Sequence, residues 1–268
     1  MVYGIAKMLN FAHGDVIMVG GYVCFCATIY WGMPVVAGVL LSVVVCTVLG
    51  VLIEGLAYKP LRGTSSLAVL ITAIGVSYFL QNAAQLIWGS DPKNFTSIIS
   101  MEPLKLLDGQ LTITGEMIVT ISLSAIIMVC LTIFTGKTKM GKSMRAVAED
   151  REAAQLMGIN VNRTISVTFA IGSALAAIAG VLLCSTISTL QPTTGSMPGI
   201  RAFTAAVFGG IGSIPGAMLG GVLLGLIETF SKFYISTQFS DAIVFFVLIV
   251  VLLVKPSGLL GKTIQEKV

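Results

Sequence analysis

Apolar runs about as long as a bilayer is thick recur from one end of this sequence to the other, and they leave the chain few ways to fold. Spans are read at 15–31, 34–53, 67–88, 117–135, 165–190 and 242–254, with a glycine-broken region at 200–230. Roughly 20 apolar residues cross the hydrocarbon core as helix, and only helices or closed barrels satisfy their own backbone there. The runs are too many for one soluble core. Of the 268 residues, 56% are hydrophobic and 10% charged, against roughly 25% charged in ordinary soluble domains. The expectation is an all-α polytopic membrane bundle of about 7–8 spans, a single transmembrane domain over 1–268.

The net charge of +4 is gathered in a few loops, with no basic face interleaved with aromatics, so nucleic acid is not an expected partner. Segment 54–66 carries Lys59 and Arg62, segment 136–164 carries Lys137, Lys139, Lys142, Arg145, Arg151 and Arg163, and the tail carries Lys255, Lys262 and Lys267. The positive-inside rule places all three in the cytoplasm. Segment 89–116, with Asp91, Glu102, Asp108 and Glu116 against Lys93 and Lys105, then falls outside. Cys24, Cys26, Cys46, Cys130 and Cys184 lie in apolar runs without C-x-x-C spacing and are read as buried small hydrophobes. No cleavable signal peptide is read, and the first membrane helix serves for targeting.

Alternation requires an even number of crossings between 165–190 and the tail. Near Gly209, Gly210, Gly212 and Pro215 the helix must break, either as a re-entrant pair surrounded by protein or water or as a cytoplasmic hairpin turn. Small residues at helical spacing, Gly172-Ala176-Gly180, Gly216-Gly220 and Gly221-Gly225, let helix backbones approach closely.

Residues 136–143, GKTKMGKS, match the phosphate-loop pattern G-x-x-x-x-G-K-[ST] letter for letter. A phosphate loop joins a buried strand to a helix, and its amides cradle phosphates. Here the preceding run is a membrane span. The chain after Ser143 has no alternating strand and helix pattern and no strand ending in a magnesium-binding Asp. An ATPase within this chain is set aside.

Beyond the match, the chain reads as one amphipathic helix outside the bilayer, over about 143–158. Met144, Val147, Ala154 and Met157 mark an apolar face, and Lys142, Arg145, Glu149, Glu152 and Gln155 a polar one. Ser143 is placed as its N-cap and Gly158 as its end, with Arg145 pairing to Glu149 four residues on. A solvated helix at the lipid headgroups has the same pattern.

Within that helix, EAAQLMG at 152–158 resembles the EAA-x-x-x-G signature of ABC importer permeases. NFAHGD at 10–15, MRAVAEDREAAQLMGIN at 144–160 and RAFTAAVFGGIGSIPGAMLGGVLLGLIE at 201–228 resemble the permeases of branched-chain amino acid importers, the LivH-type subunit of the LivH/LivM family. The resemblance covers essentially the whole chain. It implies that the 136–164 loop contains a coupling helix docked in a groove of an ATPase subunit. Glu152 and Gly158 are then the principal coupling residues, Arg145 and Arg151 polar contacts, and Ala153 and Ala154 part of the signature. It further implies a non-enzymatic subunit of a bacterial or archaeal cytoplasmic membrane. Its partners would be a second homologous permease, two cytoplasmic ABC ATPases that hold ATP and magnesium, and an extracytoplasmic substrate-binding protein. No cofactor or metal is expected in the chain itself. Family members usually run one more apolar helix into the position of 2–5, so a late-assigned start or a truncated chain is expected.

Ion-coupled carriers place acids inside their spans. Here Glu54 and Glu228 read as near interfaces, Asp241 as preceding the last span and Asp15 as opening the first. That leaves passive conduction or a partner that spends ATP. His13, the only histidine, lies beside Asp15 without a third ligand nearby. NFAHG is read as a break whose polar groups satisfy backbone at the membrane edge, with Asn10 and His13 able to line a path. Thr72, Asn82 and Gln85, with Gln81 adjacent, either bond across helices or face that path. Gly209, Gly210 and Gly212 complete the candidate path with broken-helix amides, where helix N-termini favour a carboxylate. The expected cargo is leucine, isoleucine or valine. Urea or a short-chain amide is the alternative within the family, and a self-sufficient channel the alternative outside it.

Overall fold

The computed structural model describes residues 2–8, 10–99, 101–106 and 111–261. Asp108, Lys262 and Lys267, which entered the charge argument, lie outside the described residues. Helix α1 (Val2–Ala6) is a short turn that ends at Lys7, whose φ of 50° breaks the helix. Helix α2 (His13–Phe25) widens into a π turn over Cys26–Tyr30. Helix α3 (Val35–Ile53) widens likewise over Glu54–Tyr58 and closes in a 3-10 turn at Lys59–Leu61. Helix α4 (Ser66–Trp88) starts at Ser65, whose side chain accepts from the Ala68 amide, and stops at Gly89.

Strand β1 (Lys93–Asn94) and the hairpin of β2 (Leu104–Leu106) with β3 (Leu111–Ile113) lead into helix α5 (Gly115–Lys137). Helices α6 (Lys139–Glu149) and α7 (Arg151–Leu156) come next, then α8 (Val161–Ile187). Strand β4 (Thr189–Leu190) pairs antiparallel with β1 and ties the α4–α5 connection to the end of α8. Helices α9 (Ser196–Gly209), α10 (Ile214–Tyr234) and α11 (Ser240–Val254) complete the chain.

Among the described residues six segments are long and apolar enough to cross a membrane: His13–Tyr30, Val35–Leu61, Ser66–Trp88, Gly115–Lys137, Val161–Ile187 and Ile214–Tyr234. The 15 residues of α11 and 14 of α9 make shorter rods. The all-α reading holds, and five of the long helices coincide with expected spans to within a few residues.

Helices α2, α3 and α8 form the centre, with α4 and α9 against α2, α10 and α11 beside α9, and α5 at the edge. Acyl chains are as apolar as leucine, so close packing rather than water exclusion joins such helices. The small residues of α8 serve that purpose. A Cβ on Gly180 would collide with the Ile17 carbonyl oxygen, and one on Gly20 would stand 2.7 Å from the Ala177 Cα. Ser42 Oγ adds a hydrogen bond to the Gly20 carbonyl at 2.7 Å. The two glycine pairs of α10 behave differently. Gly216 and Gly220 are buried against Gly209 and Ala205, whereas a Cβ on Gly225 would meet nothing within 4 Å and one on Gly221 only Ala205 Cβ at 3.8 Å.

The break at 209–216 is a hairpin turn. Gly210 and Gly212 take φ of 110° and 90°, and Ser213 caps α10 by accepting from the Gly216 amide at 3.1 Å. The chain beyond α11 returns to this turn, where the Leu259 and Leu260 amides donate to the Phe208 and Gly209 carbonyls at 2.9 Å. Irregular backbone enters the bundle elsewhere, at 191–195, just before α9, where Gly195 packs on Gly14. Two further expectations are corrected. Cys130 is exposed, because α5 turns that face away from the bundle, and Cys26 is only half-buried, while Cys24, Cys46 and Cys184 are buried. Asp15 opens the first span as expected, in the first turn of α2 and 1% exposed, whereas Asp241 lies within the first turn of α11 rather than before it.

Replacing Gly180 by Leu should lower the thermal stability of the purified protein in detergent by about 1–3 kcal/mol or more, as overpacking does. Gly75→Ala, on α4 with nothing within 4 Å of its new Cβ, should instead be neutral or raise stability by about 0.5–1 kcal/mol.

Candidate functional site

The phosphate-loop look-alike is a corner between two helices. Helix α5 runs to Lys137, so no strand precedes it, and Thr138 caps α6 by accepting from the Gly141 amide at 3.0 Å. Gly141 crosses the end of α5 so closely that a Cβ would stand 2.5 Å from Thr135 Cα. The second glycine of the match is therefore needed for packing. Ser143 is inside α6 and donates to the Lys139 carbonyl at 3.1 Å, so it is not the cap.

The single helix expected at 143–158 is two helices, broken at Asp150. Its φ of −148° and ψ of 117° are extended, and its carboxylate accepts from the Glu152 and Ala153 amides at 2.9 and 3.0 Å to start α7. At the far end Gly158, φ 79°, donates to the Gln155 carbonyl and the Ile159 amide to the Ala154 carbonyl, both at 3.0 Å. That reciprocal pair closes α7 with a left-handed glycine. Met144, Val147 and Ala154 are buried as the pattern required. Met157 is not: it is 83% exposed and Leu156 89%, side by side at the tip of α7. Glu152, Ala153 and Gly158 are exposed with them. Arg145 donates to the Gly136 carbonyl at 3.1 Å instead of pairing with Glu149.

Arg151 turns inward. Its guanidinium donates to the Ala6 carbonyl, joining α7 to α1, while its Nε has no protein partner. Burial, and then the nearby charge of Arg62, hold its pKa below the usual arginine value. A cavity of about 530 Å³ opens here, walled in part by Lys7, Leu61, Glu149, Asp150, Arg151 and Glu152. Beneath it, Glu54 lies at the start of the π turn, buried and ion-paired with Arg62. Ser166 Oγ donates to Glu54 at 2.6 Å, and Arg62 donates to Asn162, so one buried carboxylate clamps α3 to α8.

The candidate path residues separate into three places. Asn10 accepts from the Tyr58 hydroxyl at 2.8 Å, and His13 lies against Gly172 of α8. Thr72 is half-buried, but Asn82 and Gln85 are exposed on α4, with Asn82 donating to its own helix at Tyr78. Gly209, Gly210 and Gly212 form the turn at the α1 end, where Gly212 touches Gly4. The inward polar group of α4 is Gln81, which donates to Asp15 Oδ1 at 2.9 Å and reaches Ser77 and Ser196 at 3.2 and 3.1 Å. There the first turns of α2 and α9 meet, Gly14 against Gly195 and Gly199. Converging helix N-termini favour the carboxylate of Asp15. Sequence reading missed this junction because Gln81 and Asp15 come from distant segments. The signal available was an amide and an acid in otherwise apolar helices. Among the described residues no three His, Cys, Asp or Glu gather as metal ligands.

Removing a partner from a buried ion pair costs about 3–5 kcal/mol, while replacing both by apolar groups of similar size is often neutral. Glu54→Ala should therefore lower the unfolding free energy by that amount in a detergent melt, and the double variant Glu54→Leu with Arg62→Met should recover most of it.

Residues 1–252 match the family described as branched-chain amino acid transport system / permease component. The chain is 44% identical over its full length to the high-affinity branched-chain amino acid transport system permease protein LivH of Salmonella typhimurium, covering 90% of that protein. It is 43% identical, again over its full length and 91% of the relative, to BraD of Pseudomonas aeruginosa, which carries the same description. A probable LivH of Methanocaldococcus jannaschii is 27% identical over 97% of the chain and 85% of the relative. No solved structure matches the chain. A full-length likeness of this kind, on a bundle of helices long and apolar enough to cross a membrane, places the chain in the family of branched-chain amino acid transport permeases.

Proposed function

We propose that this chain is the membrane subunit through which an ATP-driven importer moves leucine, isoleucine or valine across a bacterial or archaeal cytoplasmic membrane. The observation that carries the reading is the tip of α7. Leu156 and Met157 stand out from the fold with Glu152 beside them, on a helix fixed at both ends and outside every long apolar segment. Two adjacent, fully presented apolar side chains suit a groove in another protein. The cations of 136–164 put this end in the cytoplasm by the positive-inside rule, where the ATPase subunits lie.

The local architecture explains how a push there reaches the spans. Asp150 and the Gly158 turn fix α7, Arg151 bonds it to α1, Ala154 packs in the main core, and Met144 and Val147 seat α6 on the spans. ATP and magnesium belong to the two ATPase partners. A second, homologous permease completes the membrane part, and a binding protein delivers cargo at the other face. The names of the relatives support the cargo.

In proteoliposomes holding the chain with its co-expressed partners, leucine with the binding protein should stimulate ATP hydrolysis and urea should not. Stimulation by urea alone overturns the cargo, and flux through the chain by itself overturns the subunit role. Leu156→Asp combined with Met157→Asp should abolish co-purification of the ATPase subunits. Because those side chains touch little of the chain, its own stability should stay within about 0.5 kcal/mol. Undiminished co-purification would remove α7 as the docking helix.

A further inference from the structure

The long motif at 201–228 begins and ends on charges, and the fold brings them together. Arg201 of α9 pairs with Glu228 of α10 at 3.0 Å and with Asp241 of α11 at 2.6 Å, while Lys232 also reaches Glu228. Glu228 stands about 21 Å along a helix of about 31 Å, taking 1.5 Å per residue, so the cluster lies within the membrane-crossing length of α10. It is not sequestered there: the side chains of Arg201 and Asp241 are each 41% exposed.

An exposed ion pair contributes little, while a charge set among acyl chains is costly. This face therefore meets water or protein rather than lipid.

Beside the cluster is a cavity of about 250 Å³ whose walls include Ala205, Leu224, Val244, Gly221 and Gly225, with Arg201 and Glu228 at one side. The two glycines are the informative part. Gly216 and Gly220 admit no side chain because α9 presses on them, but Gly221 and Gly225 have room and are exposed. Glycine is costly inside a helix relative to alanine, and no helix of this chain packs closely against these two positions. What their bare backbone provides is the cavity itself.

We propose that this cluster and cavity bind a zwitterionic aliphatic amino acid during its passage. Arg201 takes the carboxylate in the planar, two-point manner of guanidinium, and Glu228 with Asp241 takes the ammonium. The aliphatic side chain occupies the cavity over Gly221 and Gly225. Arg201, Lys232, Glu228 and Asp241 hold one another until cargo replaces part of their mutual bonds, and the chain's charge balance is unchanged when it leaves. The proposal rests on the importer reading and adds to it the place and chemistry of recognition in this chain.

The test is uptake of alanine, valine and leucine by the reconstituted importer with its partners, with KM measured for each. Arg201→Gln should raise all three KM values together, since all three share the carboxylate, and Arg201→Lys should recover part of the loss. Gly225→Leu fills the cavity and should raise the leucine KM about tenfold or more with little effect on alanine, because one methylene against a pocket wall is worth about 10–200-fold. Should that variant not assemble, Gly225→Ala adds one methyl in open space and should raise the leucine KM about threefold relative to alanine. If the wild-type complex carries leucine and these variants leave all KM values within about twofold, or lower uptake only in step with lost assembly, the site is wrong and the importer reading stands. If the wild type carries none of the three, both fall.

Discussion

The bundle is held by the approach of α2 to α8 at backbone distance. Gly180 against the Ile17 carbonyl and Gly20 against Ala177 leave no gap for a side chain, and everything else is arranged around that seam. In hydrocarbon there is little to gain from hiding leucine from leucine, so stability comes from dispersion at close range and from hydrogen bonds that water cannot contest. The Ser42 bond to the Gly20 carbonyl adds α3 to the seam. The Glu54 and Arg62 pair, with Ser166 and Asn162, locks the α3–α8 contact at the α6–α7 end. Gln81 with Asp15 and Ser196 does the same where α4 and α9 join α2.

Much of this was legible in the residues, and the limits were physical. Length and apolarity located the long spans because a bilayer leaves helices little choice. Gly158 was legible as a helix end because only glycine sits comfortably at φ near 79°. Asp150 was not legible as a break, since a smooth amphipathic pattern runs through it on either side. Met144, Val147 and Ala154 are buried as the period required, but the break rotates α7 enough to send Met157 outward. Asn82 and Gln85 looked equivalent to Gln81 on polarity alone. Only the packing of α4 on α2 decides that Gln81 points in and the other two out.

The acids show where sequence arguments about depth lose their hold. Asp15 and Glu228 each lie close to the end of an apolar run as written, yet the chain enters and leaves the bundle at staggered levels. Helix α1 ends at Lys7, and 191–195 carries irregular backbone inward before α9 begins. For Asp15 a position near a helix end is then a buried one, whereas Glu228 keeps to a partly open face with Arg201 and Asp241. The same stagger lets two helix N-termini meet around one carboxylate, an arrangement that evenly spanning helices cannot produce.

Helix α11 carries a consequence for what surrounds it. Its 15 residues make a rod of about 22 Å, short of the roughly 30 Å of an average hydrocarbon core. Beyond its start the backbone is no longer helical, and exposed Ile235 and Phe239 carry apolar surface onward. Acyl chains cannot satisfy such backbone, so the bend at 235–239 needs water or protein beside it, as the charged cluster next to it does.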